Sequence, residues 1–310
     1  MKINKLFKAG IRYVLDKNYR FVINAGYGKY DNMDDKEFLI KKFQACMGRE
    51  LNIQNPKTYN EKLQWLKLYN RRPEYVDMVD KLKVREYVKN VLGEEYLIPL
   101  IGVWNNQDEI DFNKLPNQFV IKCNHNSGTG MYICTDKSKM NVSSVKEGLK
   151  KGLSQNYYLK GREWPYKDVS RKIIAEKFMV DDVDKELKDY KFYCFNGKVE
   201  IIMINSDRNS ENPTKADYFD RSFNWLDFIW GYEHASTKPE KPENFELMVN
   251  IAEKLSEGIP HVRVDLYNCN GKIYFGELTF FDGSGFDKIE PIEWDYKLGN
   301  LIDITAINNE

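Results

Sequence analysis

The stretch from His261 to Gly285, HVRVDLYNCNGKIYFGELTFFDGSG, leaves the chain the fewest conformational options. Asn270-Gly271 separates two alternating runs, Val262–Tyr267 and Lys272–Thr279. Asn-Gly between such runs signals a hairpin, because a tight two-residue turn needs positive φ at both central positions. A hairpin brings Asp265 and Glu277 side by side. Two carboxylates aimed at one point repel unless a cation or a shared proton relieves them. Arg263 stands two residues before Asp265 and so points to the same face of its strand. Two acids and an arginine there suit a metal bound to a polyanion such as ATP. A solvated strand face with surface ion pairs fits the same residues.

The chain's 310 residues suffice for one large domain or two to three small ones. Lys+Arg and Asp+Glu balance at 47 each, so bulk charge gives no reason to expect a nucleic-acid partner. Cys46, Cys123, Cys134, Cys194 and Cys269 are odd in number and scattered, with no C-x-x-C. They fit a reduced, cytoplasmic setting better than a disulfide framework or a zinc site. There is no apolar run of membrane-spanning length and no signal-peptide pattern. Residues 1–30 nevertheless stand apart. Lys2, Lys5, Lys8, Arg12, Lys17 and Arg20 face a single acid, Asp16, while Ile3, Leu6, Phe7, Ile11, Val14 and Leu15 recur at helical spacing. Such a basic amphipathic helix can rest peripherally on an anionic membrane surface or dock on the body of the protein.

Residues 31–117 read as mainly helical. Asp34 or Asp35 caps a helix that Gly48 stops, and Thr58-Tyr59-Asn60-Glu61 has capping-box spacing. A third helix is expected from Pro73 to Gly93, with the basic run Asp80-Lys81-Leu82-Lys83-Val84-Arg85 inside it. From residue 118 the period shortens to two. Gln118–Cys123 is an apolar strand holding Lys122, which needs an anionic partner or an exit to solvent. The loop Asn124–Gly130 follows, and its Ser127, Gly128, Thr129 and Gly130 can lay backbone N–H groups against phosphate, although an ordinary turn uses the same residues. No Gly-Lys-Ser/Thr opens a helix there, so it is not a Walker A loop. A helix capped by Ser143 or Ser144 and an apolar strand, Arg171–Val180, complete residues 118–179. After the acidic loop Asp181–Glu186, residues 180–285 open with a second Asn-Gly hairpin, Asp189–Phe195 and Lys198–Ile204. A strand near Asp217–Asp220 and a helix from Pro242 to Leu255 lead back to the first hairpin, and residues 286–310 form a tail.

Taken in this order, the motifs from Asp80 to Gly285 resemble the ATP-grasp superfamily. The resemblance implies an α+β fold in which two α+β lobes clasp the nucleotide, preceded by the mainly helical N-terminal region. Asp-Lys-Leu-Lys-Val-Arg is similar to the segment that supplies a phosphate-contacting lysine, here Lys81. Phe-Val-Ile-Lys resembles the lysine strand, with Lys122 and the Ser127–Gly130 loop covering phosphate. Ala-Glu-Lys-Phe-Met resembles the segment that holds adenine, which implies Glu176, Lys177, Phe178 and Met179. Asp189 is placed to accept from ribose hydroxyls, and Lys191 to contact phosphate or the acceptor carboxylate. Arg-Val-Asp-Leu and Gly-Glu-Leu-Thr resemble the magnesium-binding strands, with Asp265 and Glu277 as Mg²⁺ ligands and Arg263 stabilising charge during transfer. Thr279 stands where the superfamily usually has Asn, so the second metal position rests on a neutral hydroxyl, with Asp282 near enough to substitute.

Asn60-Glu-Lys-Leu-Gln-Trp-Leu-Lys-Leu-Tyr69 and Asp-Tyr-Lys-Phe-Tyr-Cys-Phe-Asn-Gly look like one branch, the TupA-like ATP-grasp family, associated with bacterial surface polysaccharide. The resemblance implies ATP and Mg²⁺ as cofactors and activation of a carboxylate as an acyl phosphate for attack by an amine. The expected partners are an amino acid and a sugar or polysaccharide-precursor acceptor. A glycosyltransferase using a nucleotide sugar is the rival reading, with Asp182-Val183-Asp184 as its Asp-x-Asp, and a non-catalytic ATP-binding scaffold is the third.

Overall fold

A computed structural model of the chain describes residues 2–182, 187–206, 213–305 and 307. The N-terminal segment forms two helices, α1 (Lys2–Leu15) and α2 (Lys17–Gly26), separated at Asp16. Asp16 breaks the expected single helix because its carboxylate accepts from the N–H groups of Asn18 and Tyr19 and caps α2. Helix α3 (Asp35–Met47) carries the expected cap at Asp34 and stops at Gly48, which is left-handed at φ 75°. The capping box at Thr58 and Glu61 opens α4 (Tyr59–Tyr69).

The expected third helix is instead two, α5 (Glu74–Val79) and α6 (Val84–Val91). The connector after them also contains a strand, β1 (Leu100–Trp104). It joins an antiparallel four-stranded sheet of order β1-β4-β2-β3, with β2 at Phe119–Cys123, β3 at Met131–Cys134 and β4 at Ile173–Lys177. Helix α7 (Val142–Ser154), capped by Asn141 rather than by a serine, covers one face. It buries Val145 and Leu149 against Phe119, Ile121 and Ile173 in a small separate core. The short α8 (Tyr158–Gly161) precedes β4.

The second sheet has six strands in the order β11-β10-β5-β6-β7-β8. Its members are β5 (Asp189–Phe195), β6 (Lys198–Ser206), β7 (Lys215–Phe219), β8 (Trp225–Leu226), β10 (His261–Cys269) and β11 (Lys272–Thr279). Both expected Asn-Gly turns are present, with Asn196, Gly197, Asn270 and Gly271 all at positive φ. Helix α9 (Phe245–Leu255) packs on this sheet and joins the larger core. Described residues beyond 285 are structured too. Strand β12 (Ile289–Glu290) pairs with β9 (Ile229–Trp230), and α10 (Ile292–Asn300) packs on α4. All five cysteines are free.

Candidate functional site

The hairpin register sets the centre of the site. Asp265 lies directly opposite Glu277 across β10 and β11, and opposite Lys191 across β10 and β5. Position 265 is therefore flanked on both sides by charge, in the middle of a sheet. Arg263 satisfies it with a fork, Nε to Oδ1 at 2.6 Å and Nη2 to Oδ2 at 2.7 Å. Lys191 Nζ adds a bond to Asp265 Oδ2 at 2.7 Å and a close ion pair with Asp189. The Arg263 guanidinium also reaches Glu277 Oε1 at 3.2 Å and pairs with Asp282. Asp265, Lys191 and Arg263 are all buried, so an uncompensated charge at any one of them would be costly.

Electrostatics follows the geometry. Burial opposes the charge on Arg263, but Asp265 and Asp282 more than offset it and hold the guanidinium protonated. Burial lifts the Asp265 carboxyl above its usual range while Arg263 and Lys191 pull it back. These two tendencies disagree about the pair, and the two-bond fork decides for an ionised carboxylate. Glu277 is clearer. Burial would raise it, yet Lys81, Arg263, Lys191 and Lys122 together hold it down at about 2.

Lys81 reaches this cluster because the third helix breaks. The Asp80 carboxylate accepts from the Leu82 N–H at 2.8 Å and from Asn124 Nδ2 at 2.7 Å, and the Lys81 N–H donates to the Asn124 carbonyl at 3.1 Å. A side-chain cap here competes with helix propagation, and the tertiary bonds to Asn124 hold it in place. Lys81 Nζ then donates to the Asn126 carbonyl at 3.0 Å and lies 3.4 Å from Glu277 Oε2. Lys122 on β2 finds its anionic partner in Glu176, 2.6 Å away on β4. Arg85 shares that carboxylate at 3.2 Å.

Both sheets open onto one cavity of about 430 Å³. Of the expected residues, Lys81, Lys122, Ser127, Gly128, Asp189, Lys191, Arg263, Asp265 and Glu277 line it. Thr129, Gly130, Glu176, Lys177, Phe178, Met179 and Thr279 do not. Gly130 has a packing role, since a Cβ there would meet Cys123 Sγ and Gly152 Cα at 2.8 Å each. Glu176 turns its carboxylate to Lys122 and Arg85, and the Lys177 N–H is bonded to the Pro99 carbonyl. Thr279 braces Glu277, with Oγ1 donating to Oε1 at 3.3 Å. Two larger hollows, of about 660 and 760 Å³, gather no comparable set of groups, so chemistry rather than size identifies the site. His125 is buried, with Nε2 beside the Gln155 carbonyl at 3.1 Å, and holds the loop. The Asp182-Val183-Asp184 motif falls partly outside the described residues.

Among the described residues, no three His, Cys, Asp or Glu side chains could hold a metal unaided. Asp265 and Glu277 offer two hard oxygen ligands, which suits Mg²⁺ that takes its remaining ligands from phosphate and water. Asp282, the possible substitute, pairs with Arg263 and accepts from Tyr193 Oη at 2.7 Å.

Sequence reading missed what lies around this centre. Tyr218, Trp230, Tyr232 and Asp287 also line the cavity, and no motif marked them. It also missed the support behind Asp282. Lys67 Nζ donates to Gln64 Oε1, the Gly161 carbonyl and the Ser284 carbonyl at 3.0, 2.8 and 2.7 Å. Gln64 Nε2 reaches the Gly285 carbonyl at 2.9 Å, and Asn60 Nδ2 reaches that of Asp287 at 3.0 Å. The polar face of α4 thus grips the 284–287 backbone from behind. Burial pulls the Lys67 ammonium down to about 7.

The TupA-like ATPgrasp family profile matches residues 61–303. No curated protein matches the chain by sequence. Similar solved structures include D-alanyl-alanine synthetase A from Vibrio cholerae O1 biovar eltor str. N16961, at 12% identity and a TM-score of 0.44. That likeness covers 75% of this chain and 65% of the Vibrio protein. A D-alanine–D-alanine ligase from Bacillus anthracis is 14% identical, with coverage of 95% and 96% and a TM-score of 0.47. One from Helicobacter pylori is also 14% identical, with coverage of 79% and 68% and a TM-score of 0.41.

Proposed function

We propose that this chain, which belongs to the TupA-like ATPgrasp family, is an ATP- and Mg²⁺-dependent carboxylate–amine ligase. One observation carries the reading. Two sheets and the break between α5 and α6 bring Lys81, Lys122 and the Ser127–Gly128 loop to the same cavity as Asp265, Glu277 and Arg263. Lysines and an open glycine turn beside paired acids and an arginine suit a metal–triphosphate.

When bound, Mg·ATP supplies a phosphoryl group that turns an unreactive carboxylate into an acyl phosphate open to attack by an amine. Asp265 and Glu277 would hold the metal. Lys81 and Lys122 would neutralise phosphate oxygens, each giving up part of its present carboxylate pairing to do so. Gly128, at φ 78° with open space beside it, lets the loop backbone approach phosphate. Arg263 is held rigidly by three carboxylates and is placed to steady the negative charge that builds up in transfer. Asp189 would accept from ribose, and Lys191 would orient the acceptor carboxylate. The product we favour is an amide between an amino acid and a sugar acid or amino sugar of a bacterial surface polysaccharide, made on the cytoplasmic side.

Thermal-shift measurements with Mg·ATP against UDP- and GDP-sugars test the reading. Mg·ATP should stabilise the protein, and stabilisation by a nucleotide sugar alone would establish the glycosyltransferase instead. Glu277→Gln should lower ADP formation on the order of 10²–10³-fold with the circular dichroism spectrum unchanged. Turnover equal to wild type would remove Glu277 from the site.

A further inference from the structure

The N-terminal helix pair is divided in its packing. Helix α2 docks on the body, with Phe21 stacked on Tyr30 at 4.6 Å and tilted against Phe38 at 6.0 Å. The side-chain bonds of α1 among the described residues run instead to α2 and to the Asp16 that caps it. Tyr13 Oη donates to Asn24 Oδ1 at 2.7 Å, and Arg20 Nη1 donates to the Tyr13 and Val14 carbonyls at 3.0 and 2.6 Å. Phe7, Ile11 and Val14 follow i, i+4, i+7 spacing and form one stripe of the helix, with Leu15 beside it. They are left in the open, with Phe7 67%, Val14 68% and Leu15 79% exposed. An apolar stripe of that size on a single helix, beside a well-packed core, marks a contact surface.

Charge identifies what it contacts. Residues 1–23 carry six Lys and Arg side chains and one acid, Asp16. That acid is already engaged, capping α2 and paired with Arg12 at 3.3 Å. Docking against a second copy of α1 would bring two such basic segments together, whereas an anionic surface would relieve their mutual repulsion. Lys8 and Arg12 lie off the apolar stripe and have stems long enough to reach headgroups while that stripe enters the acyl boundary.

We propose that α1 is an interfacial membrane anchor that seats the Phe7–Ile11–Val14–Leu15 stripe in an anionic lipid surface. The proposal is independent of the reaction catalysed in the cavity.

Co-sedimentation of the 310-residue chain with extruded vesicles tests it. Binding is expected to mixed phosphatidylcholine–phosphatidylglycerol vesicles, to fall sharply with pure phosphatidylcholine, and to weaken as salt is raised. The double variant Phe7→Ser/Val14→Ser should reduce the bound fraction at least tenfold. Lys8→Glu should weaken binding roughly fivefold or more, from one cation's contribution near an anionic surface. All three exchanged side chains are exposed, and an unchanged circular dichroism spectrum and melting temperature serve as the check that each variant is folded. Equal binding to both vesicle types, or no loss in the double variant, overturns the proposal. So does a vesicle-free change in mass by light scattering on Phe7→Ser/Val14→Ser, which would make the stripe a contact between copies of the chain.

Discussion

The two ends of the cavity are built in opposite ways. At the hairpin end, Asp265, Lys191 and Arg263 sit on neighbouring strands of a six-stranded sheet, buried and joined by several ion pairs. On the lysine side, Lys81 hangs from a break between two helices and reaches Glu277 of the hairpin, and Lys122 pairs with Glu176 on a neighbouring strand. One end is held by strand register and the other by loops and caps. On the proposed reading the difference would suit their tasks, because ligands of a small ion need fixed positions whereas groups that follow a flexible triphosphate must adjust.

The sharpest way to break the comparison is to remove one charge from each end. Asp265→Asn leaves Arg263 and Lys191 buried with reduced compensation and should cost about 3–5 kcal/mol in urea unfolding. Lys122→Met, which leaves the buried Glu176 its Arg85 partner, should cost less, about 1–3 kcal/mol. Equal losses would mean that the lysine end is braced as rigidly as the hairpin. The glycine loop gives a smaller contrast. Gly130→Ala drives a methyl into the Gly152 backbone and Cys123 and should destabilise by about 1–3 kcal/mol. Gly128→Ala meets open space and should lose only the left-handed penalty of about 1 kcal/mol, although it stiffens a turn that lines the cavity.

The smallest effect concerns the support behind Asp282. The unfolded chain keeps the Lys67 proton to about pH 10, whereas the folded chain releases it near 7. Between those values the unfolded state binds more protons, so stability should rise with pH, by about 1 kcal/mol over the first unit above 7. Melting curves across that window should show the increment in the wild type and not in Lys67→Met.

How much of this was legible beforehand follows the same division. The hairpin was legible because Asn-Gly turns and a period of two are local signals. The register they set would alone place Asp265 opposite Gly276, and the irregularity between Asp265 and Leu266 shifts the pairing by one residue to bring Glu277 beside it. The fold followed from the order of its motifs. Lys81 lines the cavity as expected of a site residue but was placed inside a continuous helix, since the break that frees it depends on Asn124, 44 residues from Asp80, reaching back to bond it. The α4 motif served as a mark of kinship, and nothing in its spacing shows that Asn60, Gln64 and Lys67 grip a loop more than 200 residues later. Local chemistry was readable. Contacts closed by the fold were not.

Arg263 has a consequence for the order of binding. Because it already neutralises Asp265, Glu277 and Asp282, a bare divalent cation arriving alone must compete with a resident positive charge and leave it without an outlet. A cation that arrives with a triphosphate brings its own replacement partner, since Arg263 and Lys81 can transfer their pairing to phosphate. On the reading proposed above, each ligand would raise the other's affinity by the same factor. The resting ion pairs would then act as a gate with two keys: metal and nucleotide would turn it together, and neither alone would gain much.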